Sequence, residues 1–185
     1  MCNEFAQERT WRAYCELMKR EALDIVNEQP ETPLPSGSVR PSERAVIISA
    51  AAGGSVLELI AWGWPPFSGK GLLINLQSEK RKDPPAARGI APMDRFYEFR
   101  GDKPPKSKFE FAALGNEPLG FAVVKKADRF ALLTTAPNAD VANIHNRMPV
   151  TLRARDWRRY LTQADWPADL AAPAQEGTLR SLQVR

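Results

Sequence analysis

Short apolar segments separated by turn residues are the feature that most restricts the fold of this chain. Residues 44–49 and 55–62 are apolar and β-branched, and Gly53-Gly54 between them predicts a hairpin. Similar segments predict further strands at residues 71–75, 95–100, 107–114, 119–125, 129–135, 149–152 and 178–184. The sequence therefore predicts an α+β fold, in which a mixed, mostly antiparallel β core has a few helices outside it.

Three helices are predicted around this core. Thr10 is suited to cap a helix that runs to about residue 27, because apolar residues recur there at spacings of three and four. Asn138 is expected to cap a short helix, and residues 154–161 have the pattern of an amphipathic helix.

The rest of the chain predicts connections within one domain. Residues 30–41 and 80–89 contain several prolines, and the second segment is also charged, so both are predicted to be loops. No internal repeat and no domain-sized break is evident. A chain of 185 residues is long enough to bury a proper core, and we expect a single domain over residues 1–185.

Composition narrows the class of protein. A hydrophobic fraction of 43% and a charged fraction of 26% are those of an ordinary soluble globular protein. No run reaches the length of a membrane span, and the N-terminus lacks the layout of a signal peptide, so we expect a cytoplasmic protein with no membrane contact. Cys2 and Cys15 provide neither a disulfide framework nor metal-ligand spacing, and we predict no metal and no cofactor. The net charge of +4 permits an anionic partner.

The N-terminal sequence Met1-Cys2 carries a specific chemical possibility. If Met1 is removed, Cys2 has a free α-amine and a thiol on adjacent carbons, and both are partly nucleophilic near neutral pH. An aldehyde can form a Schiff base with the amine, and the thiol can then close a five-membered thiazolidine ring in an intramolecular step. The alternative is that Cys2 is the second residue of an ordinary N-terminus.

Three further stretches contain candidate catalytic groups. Asn75 places a carboxamide at the end of a predicted strand, and Glu98 lies among aromatic residues, where burial would raise its pKa. His145, the only histidine, follows the predicted short helix. Each has a structural alternative, because an Asn at a strand end is usually a turn residue, a Glu in a strand usually faces water, and a single His is more often structural.

Taken together, these stretches resemble the SRAP family, the SOS-response-associated peptidases that process abasic sites. That family begins Met-Cys-Gly-Arg-Phe and has Asn-Ala-Arg-x-Glu in mid-chain, an aromatic-rich strand with a Glu, and a late His-x-Arg-Met-Pro. This chain has Met-Cys-Asn-Glu-Phe, Asn-Leu-Gln-Ser-Glu, Phe-Tyr-Glu-Phe and His-Asn-Arg-Met-Pro in the same order. The resemblance extends to about Leu161 and is weak over residues 162–185. It implies strands curled into a partly open barrel with peripheral helices.

The resemblance also implies catalytic roles. Cys2, freed by removal of Met1, would be the nucleophile that traps the aldehyde of an abasic site as a thiazolidine. Asn75 would hold the terminal residue and the sugar by hydrogen bonds. Glu98 would move protons during Met1 removal and Schiff-base formation, and His145 would act as a general acid/base on the opened sugar.

The implied partner is single-stranded DNA that contains abasic sites. The residues expected to bind it are Arg40, Trp64, Thr134 and Arg147. Two family arginines are replaced, by Glu4 and Gln77, so fewer phosphate contacts and weaker, less salt-dependent binding are expected. The oligomeric state stays open. This partner implies that the protein associates with the nucleoid, in a bacterial or phage-derived setting.

Two alternatives to abasic-site crosslinking stay open. The same residues would suit a cysteine-type peptidase or hydrolase in which Cys2 attacks an acyl bond and His145 is the base. The replacements Glu4 and Gln77 would instead suit a binding module that keeps the fold and has lost the activity.

Overall fold

Two β-sheets that pack on one shared core form the framework of the protein. The structure is a computed structural model that describes residues 2–27, 34, 36–66 and 69–185. The strands are β1 (Phe5–Gln7), β2 (Gly37–Val39), β3 (Arg44–Ala51), β4 (Gly54–Trp62), β5 (Asn75–Gln77), β6 (Arg88–Met93), β7 (Arg95–Arg100), β8 (Ser107–Ala113), β9 (Leu119–Lys126), β10 (Arg129–Thr135), β11 (Met148–Pro149), β12 (Thr151–Arg153) and β13 (Leu179–Gln183).

Three α-helices in the described residues lie outside the sheets. They are α1 (Trp11–Arg20), α2 (Ala139–Ala142) and α3 (Trp157–Thr162), and short 3₁₀ turns occur at Ser78–Lys80, Pro85–Ala87, Leu114–Asn116 and Ala154–Asp156. No helix in the described part of the chain is long and apolar enough to cross a membrane.

The strand order leaves the core open at one side. One sheet has the order β13-β8-β7-β1-β2 and is antiparallel throughout. The other has the order β11-β10-β4-β3-β6-β9-β12, and β5 pairs in parallel with β10. Strand β10 also contacts β4 and β9, but its parallel pairing with β4 involves only Arg129 and Phe130, so the sheet curls without forming a closed barrel. The predicted fold class, an α+β protein with a partly open, barrel-like antiparallel core and few peripheral helices, is confirmed.

Alternation along the strands divides the buried residues between two cores. In β3, Ala45 and Ile47 face the core between the sheets, whereas Val46 and Ile48 face the core beneath the helices. Helix α1 covers the second core with Tyr14, which is buried, together with Leu17 and Met18 from the same face. The first core contains Cys2, so the N-terminal segment lies between the two sheets.

One buried side chain joins the sheets. The amide nitrogen Nε2 of Gln7 donates to the carbonyl oxygens of Val46 at 2.9 Å and Pro92 at 2.8 Å, and its Oε1 accepts from the Val46 amide at 2.8 Å. Gln7 belongs to β1, whereas Val46 and Pro92 belong to the other sheet. All three bonds are buried, where an unmade hydrogen bond costs about 1–3 kcal/mol, so they fix the position of β1.

A buried cation ends helix α3. Arg88 is fully buried, and burial lowers the pKa of its guanidinium. Its nitrogens donate to the carbonyl oxygens of Tyr160 at 2.9 Å and Gln163 at 2.8 Å, at the C-terminus of α3, and to that of Asp83 at 2.9 Å. A cation at this end of a helix satisfies carbonyl groups that have no partner within the helix.

Several predicted boundaries are confirmed. The hairpin through Gly53-Gly54 joins β3 and β4, and Thr10 caps α1 by accepting from the Ala13 amide at 3.2 Å. Strands β7 and β10 have the predicted limits, and β8, β9 and β13 differ from the prediction by one or two residues.

Other predictions are wrong in detail. Helix α1 ends at Arg20 and not near residue 27, because Ala22 adopts a left-handed conformation with φ 55° and the Leu23 amide donates to the Met18 carbonyl at 2.9 Å. The strand predicted at 71–75 is β5, which begins at Asn75. Strands β1, β2 and β6 were not predicted, and β2 lies within a predicted loop whose residues 30–33 and 35 lie outside the described residues.

The C-terminal third also departs from prediction at three points. The strand predicted at 149–152 is divided into β11 and β12 at Val150, whose amide donates to Leu133. The helix predicted at 154–161 begins as a 3₁₀ turn. Asn138 precedes α2 as predicted, but its side chain makes no cap hydrogen bond and donates instead to the carbonyls of Ala174 and Gln175.

Candidate active site around Cys2

Cys2 lies just before β1 and is fully buried. Its Sγ contacts the carbonyl oxygen of Glu4 at 3.5 Å, and its own carbonyl oxygen accepts from Nδ2 of Asn75 at 3.0 Å. Burial, and then the negative charge of Glu98, raise the pKa of the thiol well above its ordinary value. The thiol is therefore protonated at neutral pH.

Asn75 is held at the first position of β5. The residue before it, Ile74, has a carbonyl that accepts from the indole nitrogen of Trp62 at 2.9 Å and from the Leu132 amide at 2.9 Å. Asn75 itself pairs with Leu132 in the parallel ladder to β10. Its Oδ1 is buried and has no hydrogen-bond partner among the described residues. The amide therefore donates to Cys2 and keeps one acceptor for another group.

Glu98 lies in the middle of β7, on the face that the core covers. It is 1% exposed and is paired across the ladder with Phe109, and burial raises the pKa of its carboxyl group to about 7. The prediction that burial would raise this pKa is confirmed. The charge of Glu98 in turn contributes to the raised pKa of the Cys2 thiol. A carboxyl group that titrates near pH 7 can both donate and accept protons under physiological conditions.

His145 follows α2 at the edge formed by β10 and β11. Its Nδ1 lies 3.0 Å from both the backbone nitrogen and the backbone oxygen of Arg147, which fixes the plane of the ring. Burial lowers the pKa of the imidazole, so the neutral form predominates at pH 7. Val141 and Met148, on either side of His145, belong to the core that contains Cys2. His145 therefore lies in a segment that packs against the core containing the thiol.

The two predicted DNA-binding residues near this edge already have partners. Arg147 donates to both carboxylate oxygens of Glu79, at 2.7 and 2.9 Å, and to the carbonyl of Thr134 at 2.6 Å. Hydrogen bonding by Arg147 lowers the pKa of Glu79 to about 2. Thr134 is buried, and its hydroxyl donates to the Leu76 carbonyl at 3.2 Å.

The other two predicted DNA-binding residues lie closer to the surface. Trp64 is half-buried, forms an isolated bridge with Leu73, and has a buried indole nitrogen without a hydrogen-bond partner among the described residues. Arg40 is exposed, and its guanidinium lies 3.7 Å from Glu4. A surface cavity of about 350 Å³ beside β12 contains none of the eight predicted site residues.

Sequence reasoning missed one group beside Cys2. Glu4 is buried, and its carboxylate accepts from Lys108 Nζ at 2.8 Å and from the Ser38 hydroxyl at 3.0 Å. The partners are 104 and 34 residues away in the sequence, so no local pattern signals this cluster. Gln77, the other replaced position, is exposed at the end of β5.

Comparisons with known proteins agree with this architecture. The family model described as SOS response associated peptidase (SRAP) matches residues 1–185. The chain is 27% identical, over 193 aligned residues, to the abasic site processing protein YedK of Escherichia coli (strain K12), covering 93% of this chain and 86% of YedK. It is 28% identical, over 181 residues, to the abasic site processing protein YoqW of Bacillus subtilis (strain 168), covering 81% of this chain and 79% of YoqW.

Solved structures match the fold along the whole chain. A crystal structure of a Bordetella bronchiseptica protein has a TM-score of 0.72 at 18% identity and covers 100% of both chains. A Bacteroides thetaiotaomicron protein has a TM-score of 0.71 at 16% identity and covers 100% of this chain and 92% of its own. At these identities the likeness supports the fold alone.

Proposed function

This chain belongs to the SOS response associated peptidase (SRAP) family, and on that premise we propose that it processes abasic sites in single-stranded DNA by trapping their aldehyde on Cys2. The proposal is supported by the names of its relatives YedK and YoqW, both abasic site processing proteins. The observation that carries it is the anchoring of Cys2. Asn75 Nδ2 donates to the Cys2 carbonyl at 3.0 Å, beside a buried Glu98 whose pKa lies near neutrality.

The covalent product forms in three steps that need no oxidant or reductant. Hydrolysis of the Met1–Cys2 peptide bond, in which Cys2 is the proposed nucleophile, consumes one water and leaves a free α-amine on Cys2. The amine attacks the aldehyde carbon of the ring-opened sugar, and loss of one water gives a Schiff base. The Cys2 Sγ then bonds to the same carbon while its proton is transferred to the nitrogen, which closes the thiazolidine ring.

After Met1 is removed, the pKa of the thiol decides which group of Cys2 attacks the aldehyde first. Burial and the charge of Glu98 keep the Cys2 thiol protonated, so the amine, with an ordinary pKa of about 7.7–8.0, is the first nucleophile. Glu98 supplies the proton that expels water from the Schiff-base precursor and accepts the thiol proton in the last step. Its pKa of about 7 makes both transfers possible at one pH.

Asn75 and His145 act on the sugar. The Oδ1 of Asn75, an acceptor without a partner among the described residues, would take a hydrogen bond from the α-amine or a sugar hydroxyl. His145, held by the backbone of Arg147, would act as general acid/base during ring opening. Trp64 and the exposed Arg40 would contact the DNA strand, as would Thr134 and Arg147 at the edge of β10 and β11. Arg147 would exchange Glu79 for phosphate.

Intact-mass analysis before and after incubation with an abasic-site oligonucleotide tests this proposal. We expect loss of Met1, followed by a one-to-one adduct with the wild-type protein and none with Cys2→Ala. Glu98→Gln should form the adduct at least about tenfold more slowly, because general acid/base catalysis typically contributes 10²–10⁴-fold.

Two results would contradict the proposal. A retained Met1 with an unchanged mass would identify a binding module without activity. Repeated turnover of a peptide substrate, abolished in Cys2→Ala, would identify a cysteine hydrolase instead.

A further inference from the structure

Three side chains, two of them cationic, lie close to one carboxylate oxygen of Glu4. Its Oε1 accepts from Lys108 Nζ at 2.8 Å and from Ser38 Oγ at 3.0 Å, and Arg40 lies 3.7 Å away. Lys108 is itself held, since its Nζ lies 4.0 Å from the centre of the Tyr97 ring. The donors come from β2, the residue after it, and β8, which lie on opposite sides of β1 in the strand order of the sheet.

This arrangement keeps a buried carboxylate ionised. Burial alone raises the pKa of Glu4, but hydrogen bonds from Lys108 and Ser38 and the nearby positive charges more than offset this, and the net pKa is lowered. The group of Glu4, Lys108 and Arg40 has one negative and two positive charges, so Glu4 does not add an unmatched anion beside the site. A buried carboxylate whose partners are all in place has one favourable position, and the backbone that carries it is held there too.

The backbone of Glu4 contacts the nucleophile. Its carbonyl oxygen accepts from the Tyr97 amide at 3.0 Å and lies 3.5 Å from Cys2 Sγ. Tyr97 precedes Glu98 in β7, so the same carbonyl connects the thiol to the strand that carries the proton-transfer group. The side chain and the carbonyl of Glu4 are therefore both anchored, two residues from Cys2.

We propose that Glu4 is a positioning residue, whose ion pair with Lys108 and hydrogen bond with Ser38 hold the Cys2 thiol against β7. This inference rests on the proposed function for its effect on the reaction, but the anchoring itself can be measured without DNA. It differs from the expectation from sequence, in which the replacement of a family arginine by Glu4 removes phosphate contacts and weakens DNA binding. If Glu4 positions Cys2, its loss slows the covalent step at saturating DNA. If it only repels phosphate, its loss tightens DNA binding and leaves that step unchanged.

The first measurement is the alkylation rate of Cys2 by iodoacetamide, followed by peptide mass spectrometry, with the half-buried Cys15 as the internal reference. Glu4→Ala is expected to accelerate alkylation of Cys2 by about tenfold, because loss of the anchor exposes a buried thiol by local opening. Glu4→Gln keeps an acceptor oxygen for Ser38 but loses the ion pair with Lys108, so its alkylation rate should lie between those of wild type and Glu4→Ala. The matched control is Glu8→Ala, which removes one negative charge just beyond β1, where Glu8 is paired with Arg95 at the surface.

The second measurement separates reaction from binding. Single-turnover crosslinking at saturating abasic oligonucleotide gives the rate of the covalent step, and fluorescence anisotropy with an undamaged strand gives Kd. Glu4→Ala and Lys108→Met should each slow the covalent step by about tenfold, because a small displacement of a reacting group greatly lowers its reaction rate. The Kd for the undamaged strand should change by less than about threefold. Lys108→Met leaves Glu4 in place, and it decides the outcome if Glu4→Ala does not fold.

The outcomes are distinct. Unchanged alkylation in both Glu4→Ala and Lys108→Met overturns the anchoring, and an unchanged covalent rate with tighter DNA binding overturns the positioning role. If the wild-type protein forms no DNA adduct, the proposed function fails while the alkylation measurement still decides whether Glu4 anchors Cys2.

Discussion

Replacing Glu98 by glutamine should stabilise the protein at alkaline pH more than at acidic pH. Burial raises the pKa of Glu98 to about 7 in the folded state, from an ordinary value near 4.5 in the unfolded chain. The folded state therefore binds this proton more tightly than the unfolded state does. Stability from the protonated carboxyl is fully present below about pH 4.5 and is lost as the pH rises towards about 7.

The size of the effect follows from the two pKa values. With 1.36 kcal/mol per pKa unit, wild type should lose about 2.5 kcal/mol of unfolding free energy between about pH 5 and about pH 8 through Glu98 alone. Glu98→Gln does not titrate and loses none of it. The advantage of the variant should thus grow by about 2.5 kcal/mol over this range, or roughly 5–10 °C in Tm for a domain of this size.

Urea denaturation of both proteins at the two pH values measures this difference. Both must be in the same N-terminal state, established by intact mass, and the comparison between them cancels the titrating groups that do not interact with Glu98. Glu16→Gln, on the exposed side of α1, is the matched control for removal of one carboxyl group. Parallel pH profiles for wild type and Glu98→Gln would refute the reasoning, as would an equal pH-dependent gain in the control. The same variant should form the DNA adduct at least about tenfold more slowly, so this carboxyl group lowers stability at neutral pH while it supports the reaction.

Three further outcomes are expected. Asn75→Ala removes the hydrogen bond to Cys2 and should slow adduct formation at saturating DNA by about tenfold, measured by single-turnover kinetics; an unchanged rate would contradict the anchoring role. Arg88→Met leaves buried carbonyls at the end of α3 without a donor. It should lower the unfolding free energy, measured by urea denaturation, by about 3 kcal/mol or more. A loss below about 1 kcal/mol would show that water replaces the guanidinium. Arg147→Met should raise the pKa of Glu79 from about 2 towards its ordinary value, as measured by NMR titration of the carboxyl carbon. The variant should then lack the loss of stability that wild type shows when it is acidified through this range. An unchanged titration would refute the pairing.

Strands with local signals could be predicted from the sequence, and strands that depend on distant partners could not. The hairpin of β3 and β4 carries its own signal in Gly53-Gly54, and β7 and β10 alternate clearly. Strand β6 contains Pro92, which normally argues against a strand in the middle of a sheet, and follows a charged connection. Its place between β3 and β9 is set by pairing with residues far away in the sequence.

The same distinction applies to the site. The burial of Glu98 could be inferred because its neighbours in β7 are aromatic, and the structure has it 1% exposed with a raised pKa. The cluster around Glu4 could not, because Ser38 and Lys108 approach it only after two separate strands have paired with their neighbours. The resemblance aligns Glu4 with a family arginine and carries no signal of the Lys108 and Ser38 contacts that the structure gives it.

The distances along the chain between site residues determine when the site can assemble during synthesis. Asn75 is 73 residues beyond Cys2, and Lys108 is 104 residues beyond Glu4, so β1 has no neighbours when it leaves the ribosome. At about 5–20 residues per second, β1 waits roughly 5–20 s for β7. If Met1 is lost during that interval, the terminal aminothiol is open to any small aldehyde in the cell. Intact mass of protein from cells grown with and without added formaldehyde should then reveal a blocked Cys2 fraction, and an unmodified Cys2 in both would mean that Met1 is removed only after folding.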